Sequence, residues 1–132
     1  MAFKFEKLLV WQKSVDLSSE IHLLTKNFPK EELYILTSQI KRAVDSVSLN
    51  IAEGSTGQTN PEFKRFLSIA LRSAIEVVGC LHLAYKREII SEQILHNFSK
   101  KCEEIVSDLE KCYKQISDNE QEVNSLWGRK QV

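Results

Sequence analysis

The residues of this chain that could do chemistry are few, and their spacing argues against most of the chemistry they could do. Di-iron helical bundles need inward carboxylates and Glu-x-x-His pairs, because hard iron takes oxygen and imidazole ligands converging from several helices. Glu92 and His96 are four positions apart rather than three, no second such pair occurs, and His22 and His82 stand singly. Cys80, Cys102 and Cys112 leave one thiol over and form no C-x-x-C or histidine-associated pattern, so they read as reduced thiols. Cys102 and Cys112 fall on an apolar seam and are expected to be structural. There is no glycine-rich phosphate loop and no nucleophile elbow. The expectation is a protein with no catalytic residue, no metal and no cofactor.

A different chemistry, phosphate recognition, is suggested by a basic row. Arg65, Arg72 and Lys86 recur at multiples of seven, with Lys64 and Arg87 beside them and Gly79 filling the gap. On a helix this row lies opposite the apolar stripe, where it could meet phosphates, and Arg42 or Lys41 of the preceding helix would extend it. The plainer reading is a solvated face, since Glu76 lies four residues after Arg72 and could partly neutralise it. No aromatic residue interleaves the row, so base stacking has little support. Over the whole chain 18 basic residues balance 18 acidic ones, which argues against broad nonspecific attraction to nucleic acid. Any such binding has to come from local asymmetry.

The elements that position these groups are helices. Wound at about 100° per residue, residues 33–51 place Leu33, Leu36, Ile40, Ala43, Val44, Val47 and Ile51 on one broad face. On the far side the same winding aligns Ile35, Ser38, Arg42, Ser46, Leu49 and Glu53, where a surface helix would carry mostly long charged side chains. Isolated exposed apolar residues are normal on soluble proteins. Small serines between two apolar residues, with Arg42 and Glu53 able to pair at the rim, instead point to a contact with a second subunit.

With 132 residues, 42% of them hydrophobic and 27% charged, two prolines and four glycines, the chain suits one ordered helical domain. A first helix is predicted over 6–26, built on Val10, Leu17, Ile21 and Leu24 and broadened by Trp11 and Val15. Phe28-Pro29 ends it, and Lys30-Glu31-Glu32 opens the second, which closes at Gly54 in a left-handed conformation. Asn50 is placed at the edge of its core stripe, able to bond a neighbouring helix. Asn60-Pro61-Glu62 starts a third helix over 61–87, with Asn60 as cap and Phe63, Phe66, Leu67, Ala70, Ala74, Val77, Val78, Leu81 and Tyr85 inward. Ser91 caps a fourth, whose Leu95, Phe98, Cys102, Ile105, Leu109, Cys112 and Ile116 form a heptad seam that Val123 and Leu126 continue. This predicts an all-α, antiparallel up-down-up-down four-helix bundle over 1–123 with a frayed tail over 124–132. No apolar run is long enough to cross a bilayer and the chain does not open like a secretory signal, so a cytoplasmic protein is expected, with no membrane partner.

These segments also carry a resemblance. FPKEELY, LTSQIKRAV, SLNIAEG and EFKRFL, in that order, together with the WQK-type start of the first helix, resemble the four helix bundle protein family, also called the 23S ribosomal RNA intervening-sequence protein family, over roughly residues 3–90. Asn50 and Gly54 belong to its diagnostic motif. Ile35 stands where that pattern has glycine, Asp45 interrupts an arginine-alanine-valine-serine run, and Arg72 replaces a glycine. The resemblance implies a bacterial protein, in a family whose members mostly lack an assigned activity. A related branch, the accessory proteins of diversity-generating retroelements, forms a pentameric ring whose basic surface binds a reverse transcriptase and nucleic acid. By that analogy the expected partners are further copies of this chain, in a pentamer, and RNA, DNA or a reverse transcriptase held by Arg42, Lys64, Arg65, Arg72 and Lys86. The competing expectation is a structural or protein-partner module that binds no nucleic acid.

Overall fold

The computed structural model describes residues 4–57 and 59–130, with side chains described to residue 119. Four helices, α1 (Leu9–Thr25), α2 (Ser38–Ser55), α3 (Asn60–Lys86) and α4 (Glu92–Lys130), run antiparallel in sequence, as the apolar spacing predicts. The extension of the α4 seam through Val123 and Leu126, and the expected fraying of the tail, lie outside the described side chains. Contacts are most extensive between α2 and α3, followed by α3 with α4 and α1 with α2. Across the α1–α4 side Lys13 Nζ meets Glu104 at 2.6 Å and Asp108 at 2.9 Å, and Lys101 pairs with Glu20.

The first helix is preceded by a 3-10 turn, Lys4–Lys7, in which Phe5 sets its ring edge-on to Trp11, 4.9 Å between centroids. The expected helix over 6–26 is thus broken at Leu8, whose backbone is extended. Leu17 and Ile21 are buried, and the polar member of the same stripe, Ser14, satisfies its hydroxyl by donating to the Trp11 carbonyl at 2.7 Å. Phe28 is buried beneath the connection that Pro29 forces.

The second helix departs from the expected continuous winding. Lys30–Glu32 is a 3-10 turn and Leu33–Thr37 a π-helical turn, and regular α-helix begins at Ser38. The Glu32 carboxylate accepts a hydrogen bond from the Leu36 amide at 3.3 Å, taking a donor that an α-helix would give to the Glu32 carbonyl. Arg87 holds the same carboxylate at 3.0 and 3.2 Å. A side chain inserted into the backbone ladder widens the turn, and the composition of the segment gives no sign of it.

Gly54 corrects a second expectation. It does not adopt a positive φ and does not end the helix, which continues to Ser55. A Cβ built on it would stand 2.6 Å from the Phe66 Cβ, so the glycine is required by the close approach of α2 and α3. The α3 cap is Thr59 rather than Asn60: its hydroxyl accepts from the Glu62 amide at 3.3 Å, with Pro61 in the first turn. α3 ends in a left-handed residue, Glu88 at φ 62°, with the Ile89 amide reaching back to the Ala84 carbonyl at 2.8 Å and the Glu88 amide to Tyr85 at 2.9 Å. Ser91 caps α4 as expected, accepting from the Ile94 amide at 3.2 Å.

Ile40, Val44, Val47 and Ile51 of α2, Leu67, Ala70, Ala74, Val77 and Leu81 of α3, and Cys102, Ile105 and Leu109 of α4 are all buried. Tyr85, expected inward, is exposed. α3 is long and apolar enough to cross a bilayer, contrary to the expectation drawn from runs of consecutive residues, because over 66–85 its charges are confined to Arg72 and Glu76. Its inner side is core.

Candidate functional site

Three cross-contacts fix how α2 and α3 lie against each other. Glu32 meets Arg87 at one end, the Ser73 hydroxyl donates to the Ser46 Oγ at 2.8 Å in the middle, and Gly54 faces Phe66 at the other. Each step back along α2 is matched by a step forward along α3. In that register Leu49 stands level with the α3 turn containing Ile69, and Ile35 with the turn containing Leu83.

All four side chains are exposed, Leu49 at 64% and Ile35 at 59%. Ile75, at 54%, lies further round α3, with Arg72 between it and Ile69 on the helical wheel. Sequence reasoning identified the α2 half of this surface and missed the α3 half, where the arginines had been read as the outer face. The missed signal was the near absence of charge over 66–85.

The residues expected at a subunit contact separate into two groups. Ile35, Arg42, Leu49 and Glu53 are exposed and Ser38 is half-buried. Ser46 lies in the α2–α3 seam, where its Oγ accepts from Ser73 and, at 2.9 Å, from the Asn50 amide. Asn50 also donates to the Ser46 carbonyl at 2.7 Å, so it bonds within its own helix instead of reaching a neighbour, and Ser46 makes the cross-helix link. Arg42 and Glu53 form no ion pair with each other, nor do Arg72 and Glu76, among the described residues.

The basic row is likewise divided. Arg65, Arg72 and Lys86 are exposed on α3, and the Arg65 guanidinium lies 5.2 Å from the Phe66 ring centre. Lys64 turns the other way, its ammonium 5.0 Å above the Tyr113 ring of α4. Arg87 is committed to Glu32. What remains is Arg42, Arg65, Arg72 and Lys86 set among apolar side chains, a sparser field than an unbroken basic stripe.

On the α1 side of α2, Asp45 is a polar hub that the sequence disclosed only as an interruption. Its Oδ1 accepts from Ser18 at 2.5 Å and contacts His22 Nε2 at 2.9 Å. Because the serine meets the carboxylate and not the imidazole, the trio does not form an activated nucleophile. The three thiols are free, and burial raises the pKa of each, that of Cys102 to about 12 with a smaller contribution from the Glu103 charge. Such thiols are poor nucleophiles. No group of three or more histidine, cysteine, aspartate or glutamate side chains suited to a metal occurs among the described residues.

Comparison with known proteins agrees with the architecture. A crystal structure of a protein of unknown function from the S23 ribosomal protein family of Bacteroides thetaiotaomicron superposes with a TM-score of 0.74 at 26% sequence identity, covering 80% of this chain and 96% of that one. No protein of curated function matches the sequence. The profile of the 23S rRNA-intervening sequence protein family matches residues 6–111. With that profile spanning most of the four-helix bundle, the chain belongs to the 23S rRNA-intervening sequence protein family.

Proposed function

We propose that this protein is a noncatalytic, cytoplasmic interaction scaffold whose copies associate through the outer side of α2 and α3. The observation that carries this is the exposure of Ile35 and Leu49 beside Ile69 and Leu83, with Ile75 extending the apolar area around α3. Exposed apolar side chains gathered on one side of a helix pair and interleaved with polar ones are the kind of surface through which proteins associate. Arg42, Arg65, Arg72, Glu53 and Glu76 supply both signs of charge around it, which suits a face that meets another copy of itself or a neighbouring face of one. Ring closure, with five copies as the preferred order, rests on the family resemblance.

The test is solution mass by light scattering. The wild-type protein should give a multiple of 15.2 kDa, and Leu49→Glu should lower the mass while helical circular dichroism is retained. A wild-type mass of one chain would refute the reading.

A second reading, RNA, DNA or reverse-transcriptase binding, is favoured by the exposure of Arg42, Arg65, Arg72 and Lys86, with Arg42, Arg72 and Lys86 making no ion pair among the described residues. Repetition around an assembly would multiply a sparse row into a larger field. Structured RNA and DNA should then bind at low salt, weaken at moderate salt, and be lost in an Arg65→Glu, Arg72→Glu variant that still assembles. Negligible wild-type binding at both salt concentrations leaves the protein-only scaffold.

A further inference from the structure

Leu33, Tyr34 and Ile35 are exposed in succession, at 48%, 89% and 59%. Wound regularly, this stretch would carry Leu33 onto the core face with Leu36 and Ile40, and Tyr34 onto the flank towards α1, along the line of Lys41 and Asp45. The π-helical turn Leu33–Thr37 prevents that. A wider turn advances fewer degrees per residue than the about 100° of an α-helix, so each residue counted back from Thr37 lags further behind regular winding. The lag takes Leu33 off the core and into the cleft that it lines with Phe28 and Thr37. It brings Tyr34 round to the outer line of Ser38 and Leu49, which accounts for an exposure greater than that of any other large apolar side chain among the described residues.

One carboxylate holds the turn in this form. The Glu32 side chain is only 15% exposed; Arg87, directly after α3, donates to its two oxygens at 3.2 and 3.0 Å, and the Leu36 amide donates to Oε2 at 3.3 Å. With that amide drawn onto the side chain, the Glu32 carbonyl loses the partner that would close a regular turn. The arrangement gives up burial of Leu33 and leaves an aromatic ring in water, both unfavourable for a lone chain. A neighbouring surface that covers Tyr34 offsets the loss, and π-helical turns inside α-helices recur at functional sites for reasons of this kind.

We infer that Tyr34 is an anchor of the association surface and that Glu32 is the residue that positions it. The inference rests on the reading above, that copies of this chain meet through the outer side of α2 and α3. Tyr34 extends that side to the head of α2, next to Ile35 and close to the level of Leu83. A tyrosine suits an anchor because its rigid ring buries much area at little entropic cost while its hydroxyl stays bonded at the rim. The occupant is a second copy, whose exposed Arg42, Arg65 and Arg72 offer guanidinium groups to the face of the ring.

The test follows assembly of the full chain by light scattering over a dilution series, with Tyr34→Ala, Glu32→Ala, the double variant and Glu32→Gln beside the wild type. Tyr34→Ala removes an exposed side chain, so helical circular dichroism should be retained while the dissociation constant rises at least about tenfold. Glu32→Ala frees the Leu36 amide for the backbone carbonyl, and a crystal structure of this variant should show regular winding over 33–37 with Leu33 buried and Tyr34 on the α1 flank. Because Glu32 acts through Tyr34, the double variant should assemble no more weakly than Tyr34→Ala alone, whereas independent effects would multiply. Glu32→Gln keeps an oxygen that accepts from Leu36 and should retain the wild-type winding and most of the assembly. Assembly unchanged by Tyr34→Ala, multiplied effects in the double variant, or a π-helical turn that survives Glu32→Ala would each overturn the inference and leave the association reading standing. A wild-type mass of one chain would instead refute the association reading, and the anchor role with it.

Discussion

The Cβ of Phe66 lies 2.6 Å from where a side chain on Gly54 would begin, closer than two such carbons can sit. Alanine at position 54 gains helix propensity of about 1 kcal/mol and forces α2 and α3 apart. The second effect should prevail, because the obstructing atom is anchored to the backbone of α3 and cannot swing aside. Gly54→Ala is expected to destabilise the protein by about 1–3 kcal/mol, measured by denaturant unfolding. A gain in stability would show that the helices can separate at little cost.

Glu88 holds a left-handed backbone at φ 62° to close α3. A β-carbon costs about 1 kcal/mol or more in that conformation, and glycine avoids it. Glu88→Gly should therefore stabilise the fold by about 1 kcal/mol, less the added freedom of the unfolded chain. An unchanged or lower denaturation midpoint would contradict this.

Gly79 is exposed in the middle of α3, with nothing within 4 Å of an added Cβ. In an isolated bundle Gly79→Ala should stabilise by about 0.5–1 kcal/mol through propensity. If a second copy approaches the backbone here, the same methyl group should weaken assembly. Measuring unfolding at high and low protein concentration separates the two effects. The expected pattern is a gain in the dilute protein that shrinks or reverses in the concentrated one.

The Cys102 thiol has its pKa raised by burial from 9.0 to about 12. Between those values the unfolded chain releases the proton and the folded chain keeps it. Stability is therefore complete below about pH 9 and falls as pH rises, with a slope of about 1.4 kcal/mol per pH unit for this group. Cys80 and Cys112, also raised, add in the same direction, while Lys13, raised by Glu104 and Asp108, acts at higher pH still. Cys102→Ala should lower stability at neutral pH and flatten its decline through the alkaline range. A decline as steep as in the wild type would refute the assignment.

The helices and their inner faces were readable because Leu17, Ile21, Val44, Val47, Ile105 and Leu109 obey a period that water imposes directly. Gly54 was read as a helix end because a glycine before a polar loop signals both a stop and a close approach, and only the position of Phe66 distinguishes them. The widening at Leu33–Thr37 depends on one side-chain hydrogen bond from Leu36 to Glu32, which leaves no periodic trace. Asp45 looked like an intrusion until Ser18 and His22, one turn apart on α1, proved to face it. The outer apolar residues of α3 escaped notice because a basic row, Arg65, Arg72 and Lys86 at multiples of seven, dominates the wheel, although Ile69 and Leu83 lie beside it.

Ion pair, hydroxyl contact and missing side chain occur at the top, middle and bottom of the α2–α3 pair, and together they bar the two rods from sliding past each other. The short link between Ser55 and Asn60 is thereby relieved of any duty to set alignment. Insertions there should lengthen the turn without disturbing which residue meets which along the hairpin.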